Sequence, residues 1–296
     1  MPPMKKTSKN PAKKAPVEFH ATQRLEHGYA KGIKAIIGRV LVKQKPEQTF
    51  SQWLNELALR SRMPDILAAS ELLATRMVHG AQKSNWRSWR EAASRSSQAG
   101  KLYQLLETEM RGPTGARVQQ LIRENASLIS SLPLEAATTL TNEVTKAQQA
   151  GARPATIAKM YQKRFPELLR SRTRLISRTE AQKASSALTR ARSEALNLEW
   201  FEWATSHDQR TRASHENLNG VLCSWGDLPD PEALVDEKPL GKYAPGNIFN
   251  CRCLIIPLLA FSDVSWPHRV YRNGSIKTMT LTQFKQVASG DIAEAA

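Results

Sequence analysis

The sequence predicts an α+β protein that is mostly helical, in which a helical N-terminal domain precedes a domain of helices with a small sheet. Three observations support this fold class. Apolar residues recur at helical spacing over most of the chain up to residue 197. Two short runs, residues 199–204 and 253–257, have the aromatic and apolar composition of strands. The interval between them is rich in Gly, Pro, Asn and Asp, which indicates long irregular loops.

The charge of the chain points to a polyanionic partner. Its 296 residues include 43 Lys and Arg and 27 Asp and Glu, which gives a formal charge of +16 and a pI near 10.0. Residues 151–192 alone hold 11 of the basic residues and two acids. A charge this concentrated favours binding to nucleic acid or to an acidic protein surface over simple solubility.

The cysteines and the apolar segments restrict the compartment. Three cysteines, Cys223, Cys251 and Cys253, are too few for a disulfide scaffold and fit synthesis in a reducing cytosol. No window approaches the ~18 consecutive apolar residues of a membrane span, and residues 1–16 lack the apolar core of a signal peptide. We therefore expect a soluble protein without a membrane partner.

The first predicted segments are a basic arm and a helical domain. Residues 1–16 contain five lysines, four prolines and no acid, which predicts a disordered arm. An inert terminus and a contact with nucleic acid both remain open for it. Helices follow from residue 18 to 43, after a cap at Thr49 or Ser51, from Pro64 onward and at residues 101–110. The Gly-Pro-Thr-Gly turn at residues 112–115 ends this N-terminal domain, residues 17–112.

The second predicted domain covers residues 113–260. Helices are expected at residues 117–130, 134–150, 154–165 and 171–197, separated by Pro133, Gly151 and Pro154. The last one should be central, because its buried face is rich in alanine and its arginines would lie on the outside. The strand runs near residues 200 and 255 then pair. Residues 261–296 are predicted as a C-terminal hairpin at Asn273-Gly274 and a tail that frays from residue 285.

The order of motifs resembles a known family. An Arg-rich helix (Leu175-Ile176-Ser177-Arg178-Thr179-Glu180) is followed by a Trp-bearing strand, the run Asp208-x-Arg210-Thr211-Arg212-x-x-His215, Gly220, and the ending Pro245-Gly246-x-x-x-Asn250-Cys251-Arg252-Cys253. Over about residues 116–258 this order is similar to the Mu F-like minor head proteins of tailed bacteriophages. The resemblance implies head morphogenesis, a portal or scaffold protein as partner, and a place in the virion, in the head interior or at the portal vertex, after assembly in the host cytoplasm.

A metal site is one interpretation of the residues around the long loop. Two thiols and a distant imidazole, Cys251, Cys253 and His215, are good ligands for zinc, and Cys223 can complete a closed structural site. The other interpretation is that the cysteines are small buried residues and His215 bonds within the core. Both remain open on sequence alone.

The charged residues carry two further predictions. Asp208, Arg210 and Arg212 are predicted to form an ion-pair network, because the guanidinium group of Arg can bond carboxylates or backbone carbonyls through two N–H groups. Together with Asn250, this network is predicted to fix the geometry of the loop. The excess of positive charge on the chain could also bind nucleic acid, double-stranded DNA included, or a protein partner. The candidate residues are Arg174, Arg178, Lys183, Arg190, Arg192, Lys5 and Lys6.

Catalysis is the alternative that the sequence leaves. Asp208, His215 and Glu216 could supply the acid, base and metal ligand of a nuclease or toxin-like enzyme. No second His follows His215-Glu216 at the spacing of a zinc protease helix, and no Gly-rich phosphate loop is present. We therefore predict a structural protein without catalytic residues.

Overall fold

The structure is a computed structural model that describes residues 17–294 except 18, 20, 44, 46, 96–98, 207 and 208. The described residues form eight α-helices and a five-stranded sheet, and 63% of these residues are helical, which confirms the mostly helical α+β fold. The helices are α1 (Gln23–Val40), α2 (Phe50–Ser61), α3 (Pro64–Arg95), α4 (Ala99–Thr108), α5 (Pro113–Gln149), α6 (Pro154–Ala195), α7 (Ala213–Asn217) and α8 (Leu281–Glu294). The strands are β1 (Trp200–Ala204), β2 (Val221–Ser224), β3 (Leu254–Pro257), β4 (His268–Arg272) and β5 (Ser275–Met279).

Helices α1, α2, α3, α5 and α6 share one apolar cluster, which we call the helical core. Ile33, Leu57, Val78, Leu140 and Leu188 each come from a different one of these helices, and all are fully buried. Helices α5 and α6 lie antiparallel, since Arg164 contacts Glu143 whereas Arg172, further along α6, contacts Glu135. This packing makes α6 a scaffold whose C-terminal half leads directly into the sheet.

Two predicted helix breaks, at Pro133 and between residues 165 and 171, are wrong. Pro133 lies inside α5 and Pro166 lies inside α6, so each pair of predicted helices is a single long helix. A proline within a helix costs about 3 kcal/mol through a lost hydrogen bond and a steric clash. The flanking residues Leu132 and Ala136 are fully buried in the helical core, and their burial offsets that cost. Likewise α3 continues unbroken from Pro64 to Arg95, across two predicted segments.

The cap predicted for the second helix is present. Thr49 and Gln52 form a capping box, in which each side chain accepts a hydrogen bond from the other residue's backbone N–H. The Thr22 hydroxyl accepts from the N–H of Leu25 and caps α1 in the same region of the fold.

The sheet has the strand order β3-β1-β2-β4-β5. Strand β1 pairs antiparallel with β2 and with β3, which confirms the predicted pairing of the runs near residues 200 and 255. Strand β2 pairs with β4 in parallel. Strands β4 and β5 form the hairpin predicted at Asn273-Gly274, where both residues have positive φ as a two-residue turn requires.

The last helix differs from the predicted frayed tail. Helix α8 continues to Glu294, and its Phe284 packs edge-on against the Trp200 ring of β1, with 4.8 Å between the ring centroids. The predicted boundary near residue 112 falls at the turn before α5, while the helical core includes residues from both sides of it. The division into domains therefore stays a prediction, and the basic arm at residues 1–16 lies outside the described residues. In the described part of the chain, none of the helices has the length and apolar composition needed to cross a bilayer.

Candidate metal centre

His215, Cys251 and Cys253 come together beside the edge of the sheet where β1 ends and β3 begins. His215 lies on the short helix α7, and the two cysteines flank Arg252 just before β3. The imidazole Nδ1 is 3.3 Å from Cys253 Sγ and 3.6 Å from Cys251 Sγ, and the donor atoms of the three residues all lie within 4.8 Å of one another. All three side chains are buried. The two ends of the irregular region therefore meet, as the sequence predicts.

The spacing of these donor atoms fits a tetrahedral zinc ion. Zn–S bonds of about 2.3 Å and Zn–N bonds of about 2.0 Å, at a tetrahedral angle, place nitrogen and sulfur about 3.5 Å apart. The two N–S distances, 3.3 and 3.6 Å, are close to this value. Two thiols and one imidazole also form a donor set that zinc prefers. The residues present fit the ion, and three ligands leave its fourth position open.

A relay of two side chains fixes the His215 ring. Its Nε2 is 2.9 Å from the Tyr243 hydroxyl, which lies 2.7 and 2.9 Å from the carboxylate oxygens of Glu232. Burial, followed by the Glu232 carboxylate, raises the pKa of Tyr243, so the phenol keeps its proton and donates a hydrogen bond to Glu232. The Tyr243 oxygen then accepts the Nε2–H of His215, which leaves Nδ1 facing the two sulfurs. Metal-bound histidines are commonly oriented by such a partner on the other ring nitrogen.

The two thiols of the site titrate very differently. A hydrogen bond from Cys253, together with the nearby His215, outweighs burial and lowers the pKa of Cys251 to about 5. The Cys251 sulfur also accepts the backbone N–H groups of Gly246 and Cys253, at 3.3 and 3.4 Å. In turn, the Cys251 sulfur raises the pKa of Cys253. At neutral pH the metal-free pair therefore holds one thiolate, the form of cysteine that binds a metal.

Residues 225–253, which we call the cysteine loop, are fastened to α6 by polar side chains of that helix. The Gln182 amide donates to the Cys253 carbonyl at 3.2 Å, and the Ser186 hydroxyl donates to the Pro245 carbonyl at 2.7 Å. The N–H of Asn250, whose φ of 58° is left-handed, donates to the Thr179 hydroxyl at 3.3 Å. These contacts place the cysteines against the helix that the sequence analysis selects as central.

Gly246 lets the cysteine loop approach this helix closely. Its φ is +80°, and a Cβ atom at this position would lie 2.4 Å from Ser186 Oγ and 2.8 Å from Gln182 Cγ. A side chain is thus excluded both by the backbone conformation and by the neighbouring helix. The glycine of the Pro245-Gly246 pair in the sequence motif is therefore required for steric reasons.

Cys223 does not join the other cysteines. It lies in the middle of β2, opposite Phe201 of β1, and its Sγ faces the Val221 carbonyl at 3.8 Å. Burial, followed by the charge of Asp227, raises the pKa of Cys223, so its thiol stays neutral. Of the four predicted ligands the structure brings together three, and Cys223 is a packing residue of the sheet.

The predicted loop-fixing residues are only partly described. Asp208 lies outside the described residues. Arg212 donates to the Phe249 carbonyl at 3.1 Å and its guanidinium lies 4.7 Å from the centre of the Phe249 ring, so it ties the end of the cysteine loop to the start of α7. Arg210 is exposed, and it lines with Arg212 and Asn250 a cavity in front of the three metal-binding residues.

One predicted binding residue must be corrected. Arg192 is fully buried, where its guanidinium bonds both carboxylate oxygens of the buried Glu109 at 2.5 and 2.6 Å and also the amide of Asn85. Because Arg192 is buried against Glu109, in the 3₁₀ turn Glu109–Arg111 before α5, it has no access to nucleic acid. The prediction failed because the sequence does not show that Glu109, 83 positions away, reaches this face of the helix.

The other predicted basic residues differ in their surroundings. Arg174 is exposed and Arg178 is half-buried at the cavity. Lys183 pairs with Glu180 at 3.1 Å and Arg190 pairs with Glu194 at 2.7 Å, so part of their charge is neutralised on the helix itself. Lys5 and Lys6 lie outside the described residues.

Sequence reasoning missed the residues that support the metal ligands. Tyr243 and Glu232 lie in an irregular segment where no periodicity marks their side chains as buried. Thr179, Gln182 and Ser186 did leave a signal, because a spacing of three and four residues places polar side chains on one stripe of a helix that is otherwise packed. A polar stripe on a buried helix face requires partners, and the cysteine loop supplies them.

The fold and the site together define a class: a helical scaffold with a small appended sheet and a loop closed by a His-Cys-Cys cluster. Residues 138–256 match the family described as Phage Mu protein F like protein, which confirms the resemblance to the Mu F-like phage head proteins. The matched segment runs from α5 into β3 and contains the whole cluster. An uncharacterized protein of Haemophilus influenzae is 30% identical over 143 residues. The aligned part covers 48% of this chain and 30% of that relative, and no solved structure matches the chain.

Proposed function

We propose that this protein is a minor head protein that acts in head morphogenesis of a tailed bacteriophage. The observation that carries the proposal is the overlap of the family match with the candidate metal centre. The segment similar to the Mu F-like family, residues 138–256, is also the segment that builds the loop-closing cluster and the helix beneath it. The shared part therefore contains all three residues of the cluster and helix α6, against which the cysteine loop packs.

Zinc in this module would have a structural role. Within the cysteine loop the described residues form only one short 3₁₀ turn, Ala233–Val235, so little backbone hydrogen bonding holds the loop. His215, Cys251 and Cys253 would hold the ion, and its bonds would join α7 to the start of β3. A metal that closes an irregular loop contributes folding free energy directly.

The partners of the protein follow from the proposed role. A head morphogenesis protein would bind the portal or the scaffold, and it would lie in the head interior or at the portal vertex after assembly in the host cytoplasm. The net charge of +16 supports an additional contact with packaged double-stranded DNA. Arg174, which is exposed on α6, and the lysines of the basic arm are the residues on which we base that contact.

Assembly can be tested in the phage or prophage genome that encodes the chain. Deletion of the gene should abolish infectious particles, and a plasmid copy should restore them. A tagged copy should sediment with heads on a density gradient. Normal particle yield and morphology after deletion would overturn the proposal.

The DNA contact needs a separate test. Each Lys or Arg that neutralises a phosphate releases a counterion, so log K should fall with log salt with a slope of about −0.9 per contact. We expect a slope of several units with duplex DNA and a reduced slope after removal of residues 1–16. A flat salt response would remove DNA from the list of partners while leaving head assembly intact.

One observation favours an enzyme as a second candidate. Three ligands with an open fourth position are typical of catalytic zinc sites, and here His215, Cys251 and Cys253 all line a cavity. A metal-dependent nuclease would cleave DNA in the presence of zinc or another divalent ion, and His215→Ala would abolish the cleavage without unfolding the protein. Absence of cleavage with several divalent ions would favour the structural role.

A further inference from the structure

The two edges of the sheet differ in how they are closed. Strand β3 forms one edge and packs against α6, whose Gln182 side chain bonds the Cys253 carbonyl directly before the strand. This strand also ends at Pro257, which has no N–H to offer an added strand. Strand β5 forms the other edge and pairs with β4 alone among the described strands. The outer side of β5 is therefore open to a further strand.

The hairpin turn determines which backbone groups of β5 face outward. Its two turn residues leave Arg272 and Ser275 as the first pair of the ladder. Such a pair is hydrogen-bonded, and bonded and non-bonded pairs then alternate along two antiparallel strands. Lys277, two positions beyond Ser275, is thus bonded to β4. The N–H and C=O groups of Ile276 and Thr278 point to the open side, where no hydrogen bond to another described residue is found for them.

A cleft lies beside this open edge, between β5 and α8. It has a volume of about 380 Å³. The residues that line it are Arg272, Lys277, Thr278, Met279, Gln283, Gln286 and Val287. Side chains of an added strand would alternate between the two faces of the sheet, so those on the α8 side would reach this cleft. Pairing of the backbone combined with room for alternate side chains is the way in which sheet edges bind extended peptides.

Charge disfavours two occupants of the edge. In an antiparallel pair of two β5 strands, the outward groups of Ile276 bond those of Thr278, which places Lys277 directly opposite Lys277 of the second copy. Like charges at directly opposite positions destabilise a strand pair. A shifted pairing would keep only one outward residue of β5 opposite itself. The basic arm at residues 1–16 is disfavoured in the same way, since it carries five lysines and no acid.

We propose that the open edge of β5 binds an extended segment of a partner protein as a sixth strand, with a carboxylate of that segment opposite Lys277. Lys277 is exposed, and an opposite charge at the facing position stabilises a strand pair. The proposal goes beyond a role in head assembly and does not depend on it, because β4, β5 and α8 all follow the segment that matches the phage family, residues 138–256.

Amide hydrogen exchange of the full-length protein, followed by NMR, tests the proposal. Without a ligand, the amides of Ile276 and Thr278 should exchange at least tenfold faster than that of Lys277, which is bonded to β4. An acetylated and amidated probe peptide, Thr-Val-Thr-Glu-Thr-Val-Thr, should slow both outward amides at least tenfold. Outward amides that are already protected without peptide would mean that the chain itself or a second copy occupies the edge. That result, or no protection at millimolar peptide, would overturn the proposal.

A second probe peptide, with Lys in place of Glu, tests the carboxylate. We expect it to bind at least threefold more weakly, and Lys277→Glu should reverse the order of the two peptides. The matched control is Lys163→Glu, at an exposed lysine of α6 that does not line the cleft. This control should keep the order of the two peptides and change each affinity less than twofold. Equal affinities of the two peptides for the unsubstituted protein would contradict the proposed partner chemistry.

A proline tests the backbone pairing. Thr278→Pro removes an outward N–H without removing a bond to β4, and the residue before a proline stays extended as a strand requires. Binding of the Glu peptide should weaken at least tenfold, whereas Thr278→Ala, which keeps the N–H, should change it less than twofold. Equal weakening in both variants would show that the side chain binds the peptide and would overturn strand addition. If Thr278→Pro fails to fold, the exchange of the outward amides and the reversal in Lys277→Glu still decide the question.

Discussion

The helical core and the cysteine loop are stabilised by different means. The core buries aliphatic side chains from five helices in one continuous cluster, so many residues share the stabilisation. The cysteine loop buries a smaller cluster and depends on particular atoms: the Gln182 amide, the Ser186 hydroxyl and the Tyr243 phenol. Stability of the core should depend on the apolar volume that a substitution removes, whereas stability of the loop should depend on single polar atoms. The following substitutions test that difference.

The largest effect is expected in the helical core. Leu140→Ala removes a fully buried side chain of α5 and should lower the free energy of unfolding by about 2–5 kcal/mol, because the cavity left behind collapses only partly. Urea denaturation followed by circular dichroism measures it. The control is Leu72→Ala on α3, where the side chain is 52% exposed and the change should stay within about 0.5 kcal/mol. A similar loss in both variants would show that burial does not decide stability here.

A single oxygen should matter in the cysteine loop. Tyr243→Phe removes the hydroxyl between His215 and Glu232, leaves the buried carboxylate without its closest donor, and should cost about 1–3 kcal/mol. Zinc affinity should fall by about 10–100-fold, because the imidazole loses the partner that orients it.

Competition with a chelator of known affinity measures the zinc effect. Tyr103→Phe is the control, since the only hydrogen bond found for the Tyr103 hydroxyl within the described residues is an exposed and long one, 3.4 Å to the backbone carbonyl of Arg90. Unchanged zinc affinity in Tyr243→Phe would mean that the relay does not orient the histidine.

Two glycines of the loop distinguish the cost of backbone strain from the cost of a steric clash with α6. Gly246→Ala and Gly241→Ala both place a side chain at positive φ, at a cost of about 1–2 kcal/mol each. Only Gly246 has α6 within reach of the new Cβ, whereas nothing lies within 4 Å at Gly241. Thermal unfolding should therefore show a larger loss for Gly246→Ala, and zinc affinity should fall in that variant alone. Equal effects would contradict the close approach of the loop to the helix.

The thiols should make the metal-free protein sensitive to pH. The pKa of Cys251 in the folded state is lowered to about 5. The Cys251 thiolate therefore contributes to the free energy of unfolding above the unfolded pKa of about 8.5, and this contribution is lost as pH falls through 5. The raised pKa of Cys253 acts oppositely above about pH 8.5, where only the unfolded state loses that proton. Stability without metal should thus peak near pH 8.5. In Cys251→Ser the rise from pH 5 to 8.5 should disappear, and urea midpoints across this range measure it.

Much of the fold could be predicted because its signals are local. The Thr49 cap, the Asn273-Gly274 turn and the paired runs around Phe201 and Ile255 each depend on a few neighbouring residues. Pro133 misled the prediction, and the break placed between residues 165 and 171 was also wrong, because a buried helix face outweighs the local cost of a proline and that burial depends on the whole core.

The candidate site was predictable in its ligands but not in their support. Cys251 and Cys253 stand two residues apart, and His215 follows a distinctive run of arginines, so the sequence singles them out. Cys223 carries a thiol that could bind zinc, but it lies in β2 opposite Phe201, away from the other ligands. The register of β2 against β1 determines this position, and the sequence alone does not show that register. Tyr243 and Glu232 could not be predicted, since a loop without regular structure gives no pattern from which burial can be inferred.

Zinc content tests the central claim most directly, namely that His215, Cys251 and Cys253 close the loop by binding a metal. The protein is purified under reducing conditions, and elemental analysis is combined with thiol titration. We predict about one zinc per chain, lost in Cys251→Ser and in Cys253→Ser and retained in Cys223→Ser, since only the first two thiols face Nδ1 of His215. A protein without zinc and with three titratable thiols, or loss of zinc in Cys223→Ser as well, would contradict it.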